Sequence, residues 1–143
     1  QERLLEMAGY YQVLAADDAR ITELGPEAKL EIEQWIVRRL NGSLRVPDLT
    51  NQGLAFAGGR FMPVDNKPAF LLVYRQKDGQ PLGLCITIGW DRRASQRMAA
   101  EVQGLKIVHW QDAERAYVFM GQVDKTKLDA IANEAAAQIS RSS

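Results

Sequence analysis

Near its start the chain carries apolar residues at steps of three and four: Leu4, Met7, Ala8, Tyr11, Leu14 and Ala15. This spacing predicts an amphipathic helix over residues 1–17. Gly9 in its middle weakens that helix by ~1 kcal/mol relative to Ala, and Asp17-Asp18 ends it. Arg20 to Leu24 alternate loosely, as a short extended connection would. Gly25-Pro26 then opens a second helix over 26–41, because Pro at the first helical position loses no hydrogen bond. Ile32, Trp35, Ile36 and Leu40 form its apolar stripe, Arg38 and Arg39 suit its negative end, and Asn41-Gly42 stops it.

After Pro47-Asp48-Leu49 the period changes, and residues 53–122 read as an antiparallel sheet of about five strands. Leu54–Met62, Ala69–Gln76, Leu82–Ile88, Lys106–Gln111 and Arg115–Gln122 are short runs rich in β-branched and aromatic residues. Lys77-Asp78-Gly79-Gln80 is a clear hairpin signal and Gln111-Asp112-Ala113-Glu114 a weaker one; strands joined so tightly are antiparallel. Gly58-Gly59 inside the first run predicts a bulge, or a place where backbone passes close to backbone. No helix follows it that could receive a phosphate. Asp91–Gln103 reads equally as a short helix or as an excursion between strands. Asp124 caps a last helix over 124–140, with Leu128, Ile131, Ala132, Ala135 and Ile139 on one face, and Ser140–Ser143 should fray. Two helices, a sheet and a closing helix predict one α+β domain, a two-layer sandwich with its helices on one face of the sheet.

Composition narrows the function more than the fold. The 143 residues carry 18 Lys plus Arg and 18 Asp plus Glu, a net charge of zero. The longest basic cluster is Arg92-Arg93 with Arg97 beyond it, too little to displace phosphate counterions, so nucleic-acid binding is not expected. A single cysteine, Cys85, excludes an intrachain disulfide, and one Cys with one His falls short of an ordinary zinc site. No run approaches the ~20 apolar residues that span a bilayer. The chain opens at Gln1, which suggests a mature product or a piece of a longer protein, and an anchor or second domain could lie upstream.

No catalytic constellation emerges, and no metal or cofactor is implied. His109 lies between Val108 and Trp110 in a strand and faces away from both. As the only histidine it is the candidate pH-sensitive group, although a plain surface imidazole explains it as well. The carboxylates sit mostly at helix ends and turns, and the dinucleotide and Walker loops are absent. Aromatic residues recur at core-compatible spacing. Tyr117 and Phe119 share one face of the last strand, and Val118 and Met120 share the other. If helices cover only one side, the second side is a hydrophobic surface that needs a ligand or partner. The candidate surface residues are Trp35, Phe56, Tyr74, Trp110, Tyr117 and Phe119.

A resemblance covers most of the chain from about Ile21 onward. It runs through Glu33-Gln34-Trp35-Ile36-Val37-Arg38-Arg39-Leu40, Val46-Pro47-Asp48-Leu49 and Gly53-Leu54-Ala55-Phe56-Ala57-Gly58-Gly59-Arg60-Phe61-Met62-Pro63. It resumes at Val108-His109-Trp110 and Ala116-Tyr117-Val118-Phe119-Met120-Gly121. In these residues the chain resembles the extracytoplasmic domain of membrane-bound anti-sigma factors, the transmembrane transcriptional regulators of bacteria. The resemblance implies a non-enzymatic periplasmic sensory or regulatory domain. The sigma factor would be held by a cytoplasmic module, and the membrane crossed by an anchor, both lying before Gln1. Residues 1–17 would then be the membrane-proximal helix. The family supplies no catalytic residues, and Arg20-Ile21 stands where it often has His-Pro. Rival readings are a homodimerisation or protein-interaction module that uses the uncovered sheet face, or a lipid or small-molecule carrier with a cavity among Trp35, Phe56, Tyr74 and Trp110. An enzyme built on a carboxylate or His109 in a cleft is a remote third.

Overall fold

A computed structural model describes residues 2–17, 21–90 and 95–142. Asp18, Arg20 and the Asp91–Ala94 start of the unsettled segment lie outside the described residues. Helix α1 spans Glu2–Ala16. A 3-10 turn at Pro26–Ala28 leads into α2, Lys29–Arg39. Six strands follow: β1 (Ala55–Phe61), β2 (Ala69–Arg75), β3 (Pro81–Ile88), β4 (Ser95–Val102), β5 (Leu105–Gln111) and β6 (Arg115–Gly121). Helix α3, Lys125–Ser142, closes the chain and continues through Ser140 and Arg141, where fraying is expected.

Local chemistry explains these boundaries. Asn41 takes φ 62° and ends α2 in the left-handed region, as its Asn-Gly pair predicts. Asp124 starts α3 by accepting the Lys127 N–H on its carboxylate. Both expected hairpins form, β2–β3 around Gly79 and β5–β6 around an Asp112 carboxylate that accepts from the N–H groups of Glu114 and Arg115. Two further turns carry less obvious signals. Asp65-Asn66 and Gln103-Gly104 each place two consecutive residues at positive φ, the backbone of a two-residue hairpin.

The second of those turns corrects the expectation for 91–103. Ser95–Val102 is neither helix nor excursion but the sixth strand, β4, paired antiparallel with β5. Met98, Ala100 and Val102 alternate with Arg97, Ala99 and Glu101, a period of two. Its polarity disguises that period, because the strand lies at the sheet's edge and is largely exposed.

The strand order is β1-β2-β3-β6-β5-β4. Two three-stranded meanders therefore lie side by side and join through β3 and β6, which pair antiparallel from Leu82↔Gly121 to Ile88↔Arg115. Each side of this sheet is a core. On one, Phe70, Leu72, Leu84, Val108 and their neighbours pack against Ile32 and Ile36 of α2 and Leu128, Ile131 and Ala135 of α3. On the other, Leu71, Val73, Cys85, Ile107, Val118 and Met120 pack against Leu4, Met7, Ala8 and Tyr11 of α1. The expected two-layer sandwich is thus three layers, with helices on both sides. The physical reason lies in α1, whose apolar stripe has to bury itself and finds Val118, Met120 and the even greasier central strands. At Gly83 a Cβ would come within 2.6 Å of the Tyr11 ring, so the helix rests directly on β3.

The double glycine in β1 performs the backbone approach its sequence suggests. Leu24 pairs with Gly59 along the outer edge of β1. Gly58 adopts φ +112°, and a Cβ there would stand 1.9 Å from the Leu24 carbonyl oxygen. The register between β1 and β2 shifts at the same point, between Phe56 and Gly58.

Candidate functional site

Five of the six candidate surface residues do share one side of the sheet. Ring centroids run from Phe56 to Tyr74 at 5.6 Å, Tyr74 to Phe119 at 6.4 Å, Phe119 to Trp110 at 6.3 Å and Trp110 to Tyr117 at 5.1 Å. Trp35 stands apart on α2, against Phe61 and Phe70. This row is no open surface. Tyr74, Tyr117 and Phe119 are fully buried, Trp110 nearly so, and all lie in the core beneath α2 and α3. The opposite side, expected to be bare, carries α1. Each of Trp35, Phe56, Tyr74 and Trp110 packs against a neighbouring ring.

His109 falls on the α1 side of β5, opposite Met98 of β4 and Val118 of β6, as the strand alternation predicts. It is half-buried, and loss of solvent lowers its pKa, so the ring is neutral at neutral pH. Cys85 is buried and its thiol pKa is pushed up by burial, leaving it protonated and unreactive at neutral pH.

A buried arginine is a part of the molecule that no sequence motif announces. Arg115 opens β6 and is 1% exposed. Its Nε donates to the Tyr117 hydroxyl at 3.0 Å, Nη1 to the Gly42 carbonyl at 3.1 Å and Nη2 to the Ser43 carbonyl at 3.2 Å. Tyr117 in turn donates to Asp112 at 2.7 Å. Burial, then the hydrogen bond to Asp112, raise the Tyr117 pKa, which keeps this hydroxyl a donor. The guanidinium thus meets carbonyls just beyond the negative end of α2 and reaches a carboxylate only through a phenol. It ties the α2 terminus to the β5–β6 turn, and a concavity of about 770 Å³ between Asn41, Trp110, Glu114 and Ile139 opens beside it. The Asp112-x-x-Arg115-x-Tyr117 spacing is the only trace of this network in the sequence.

A concavity of about 1230 Å³ is an open groove between α2, α3 and the extended segment 45–51. Its walls are held by side chains rather than by sheet hydrogen bonds. Gln138 of α3 accepts the Asp48 N–H at 2.7 Å and donates to the Asp48 carbonyl at 2.8 Å, a side-chain imitation of strand pairing. Glu33 accepts the Val46 N–H at 2.7 Å, and the Tyr74 hydroxyl donates to the Pro47 carbonyl at 2.8 Å. The Asp48 carboxylate accepts from the N–H and hydroxyl of Thr50, and these bonds hold its pKa below the usual range. Leu30 stands on the rim, 67% exposed, among charges of both signs from Glu27, Lys29, Arg45 and Arg141.

Among the described residues no group of three or more His, Cys, Asp or Glu side chains converges as a metal site, and no helix is long and apolar enough to cross a membrane. Compared with known protein families, curated proteins and solved structures, the chain matches none.

Proposed function

We propose that this chain is a non-enzymatic periplasmic sensory or regulatory domain of a membrane-bound anti-sigma factor, working by recognition of a partner. What supports the reading is that the residues of the resemblance carry the fold. Pro47 takes the hydrogen bond from buried Tyr74, Leu49 is buried, and Gly58 admits the Leu24 carbonyl. Residues with such tasks are tied to an architecture rather than to surface chance, so their place in the resemblance favours a common fold. The groove beside Val46-Pro47-Asp48 supplies the surface for a partner, in place of the sheet face that α1 occupies.

The experiment is a competition. The chain, exported to the periplasm of its source bacterium without anchor or sigma-binding module, should draw the signal from the intact regulator and change transcription of the sigma factor's target genes. The same chain retained in the cytoplasm should not. Leu30→Asp, a substitution at an exposed position, should reduce the exported chain's effect severalfold. Transcript levels that match the empty vector under export reject the reading.

A further inference from the structure

The sheet's two edges are treated differently. Along β1 the 21–25 segment supplies an outer cover, with Glu23 and Leu24 both donating to the Gly59 carbonyl and Glu23 also accepting the Phe61 N–H. Along β4 no described segment pairs with the outer edge. Residues 96–99 and Glu101 are exposed there, Met98 at 56%. An uncovered strand of eight residues is a template for another strand.

The hydrogen-bonding phase of β4 follows from its hairpin. Val102 and Leu105 flank the two-residue Gln103-Gly104 turn, so they exchange hydrogen bonds with each other, and Ala100 and Met98 continue that phase toward β5. The N–H and C=O of Ala99 and Glu101 therefore point outward. The irregularity in register lies between Ser95 and Met98, and Met98–Val102 pairs regularly.

Two charges lie on this edge, four residues apart and on one side of the sheet. Arg97 reaches Asp129 of α3 at 3.8 Å, and Glu101 reaches Lys106 at 2.8 Å. We infer that β4 pairs antiparallel with β4 of a second copy of this chain, with Ala99 on the two-fold axis. In that register Arg97 of each copy faces Glu101 of the other, Met98 faces Ala100, and Ala99 meets its own image. Ala99 and Glu101, whose backbone groups point outward, are both positions that this register pairs. A two-fold contact of this kind is self-complementary and closes, so it stops at a dimer with one continuous twelve-stranded sheet. The two α3 helices then lie on the same side, where Asp129 and Lys106 complete a four-charge cluster around each Arg97–Glu101 pair. This inference is independent of the anti-sigma reading.

The test is the oligomeric state by sedimentation. A strand edge buries less than a standard interface, so association is expected at roughly micromolar concentration. Arg97→Glu and Glu101→Arg each place like charges opposite one another twice, and each should weaken the dimer by roughly tenfold or more. The double variant R97E/E101R restores opposite charges and should recover wild-type association. Ala99→Pro removes an outward N–H that the fold itself does not use and should give a monomer with unchanged circular dichroism. A wild-type chain that stays monomeric at hundreds of micromolar, leaving the edge to a foreign strand or to none, overturns the inference. So does a dimer indifferent to the single reversals, or a double variant that fails to recover.

Discussion

Among the described residues the Arg115 guanidinium pairs with no carboxylate, yet the residue is buried as deeply as the apolar core. Its three donors hold three acceptors from two parts of the chain that are about seventy residues apart. Replacing it with Leu removes the charge together with its bonds to the Gly42 and Ser43 carbonyls and the Tyr117 hydroxyl, and a hydrogen bond to a charged group is worth about 1.5–3 kcal/mol. Arg115→Leu should therefore destabilise the protein by roughly 2–4 kcal/mol in urea unfolding. Arg115→Lys, which keeps the charge without the fork, should recover less than half of that loss; full recovery would mean that charge alone matters. Little of this was legible in the sequence. An arginine after a turn reads as solvated surface, and only the fold brings the 42–43 carbonyls to it. Gly58 is the opposite case. Its need for close backbone approach is local in origin, so Gly-Gly within a strand announced it, though not that Leu24 would be the visitor.

At the level of elements, α1 departs most from its expected role. Its stripe of Leu4, Met7, Ala8 and Tyr11 was legible at a period of 3.6, but the stripe predicts only that a face is buried. The structure lays it across the sheet side opposite α2 and α3. Gly9 faces away from the sheet, and a Cβ there would meet nothing within 4 Å. Gly9→Ala should therefore raise thermal stability by about 1 kcal/mol, the difference in helix propensity, without disturbing the core. Differential scanning calorimetry checks this, and a fall in midpoint would show that α1 needs the glycine's freedom. If the proposed function holds, the same substitution in the intact regulator should alter sigma-factor release. Strand β4 went unseen for a different reason. Edge strands are exposed on both sides, so their alternation separates polar from small residues rather than polar from apolar, and Gln-Gly is a weaker turn signal than Asn-Gly.

The molecule as a whole buries several titratable groups in neutral form, and its stability should follow pH accordingly. Tyr11, Tyr74 and Tyr117 are raised above their ordinary 10.0, and Cys85 above 9.0, by burial. The unfolded chain releases these protons first, so it binds fewer protons than the native state and stability falls as pH climbs past about 9 and then 10. His109 is lowered from 6.5 by desolvation. Here the unfolded chain takes up the proton first, so stability is lost as pH falls below about 6.5 toward the folded-state value. Asp48, held below 3.8 by Thr50, adds a later loss in the same direction. The melting temperature should therefore form a plateau between about pH 7 and pH 8 and decline on both sides. A midpoint still rising beyond about pH 10 would contradict the buried tyrosines.

The sequence by itself determined where the chain turns and which period each segment follows. Helix stripes, Asn41-Gly42, Asp124, the Gly79 and Asp112 turns and the Gly58-Gly59 approach are all written in short-range chemistry, within a few residues of where they act. Tertiary structure alone decided which apolar face meets which helix, that β6 inserts beside β3, and that one edge is capped while no described segment pairs with the other. Those choices depend on contacts between segments far apart in the chain. A hydrophobic stripe says how much surface must leave water and nothing about its partner, because burial is non-directional.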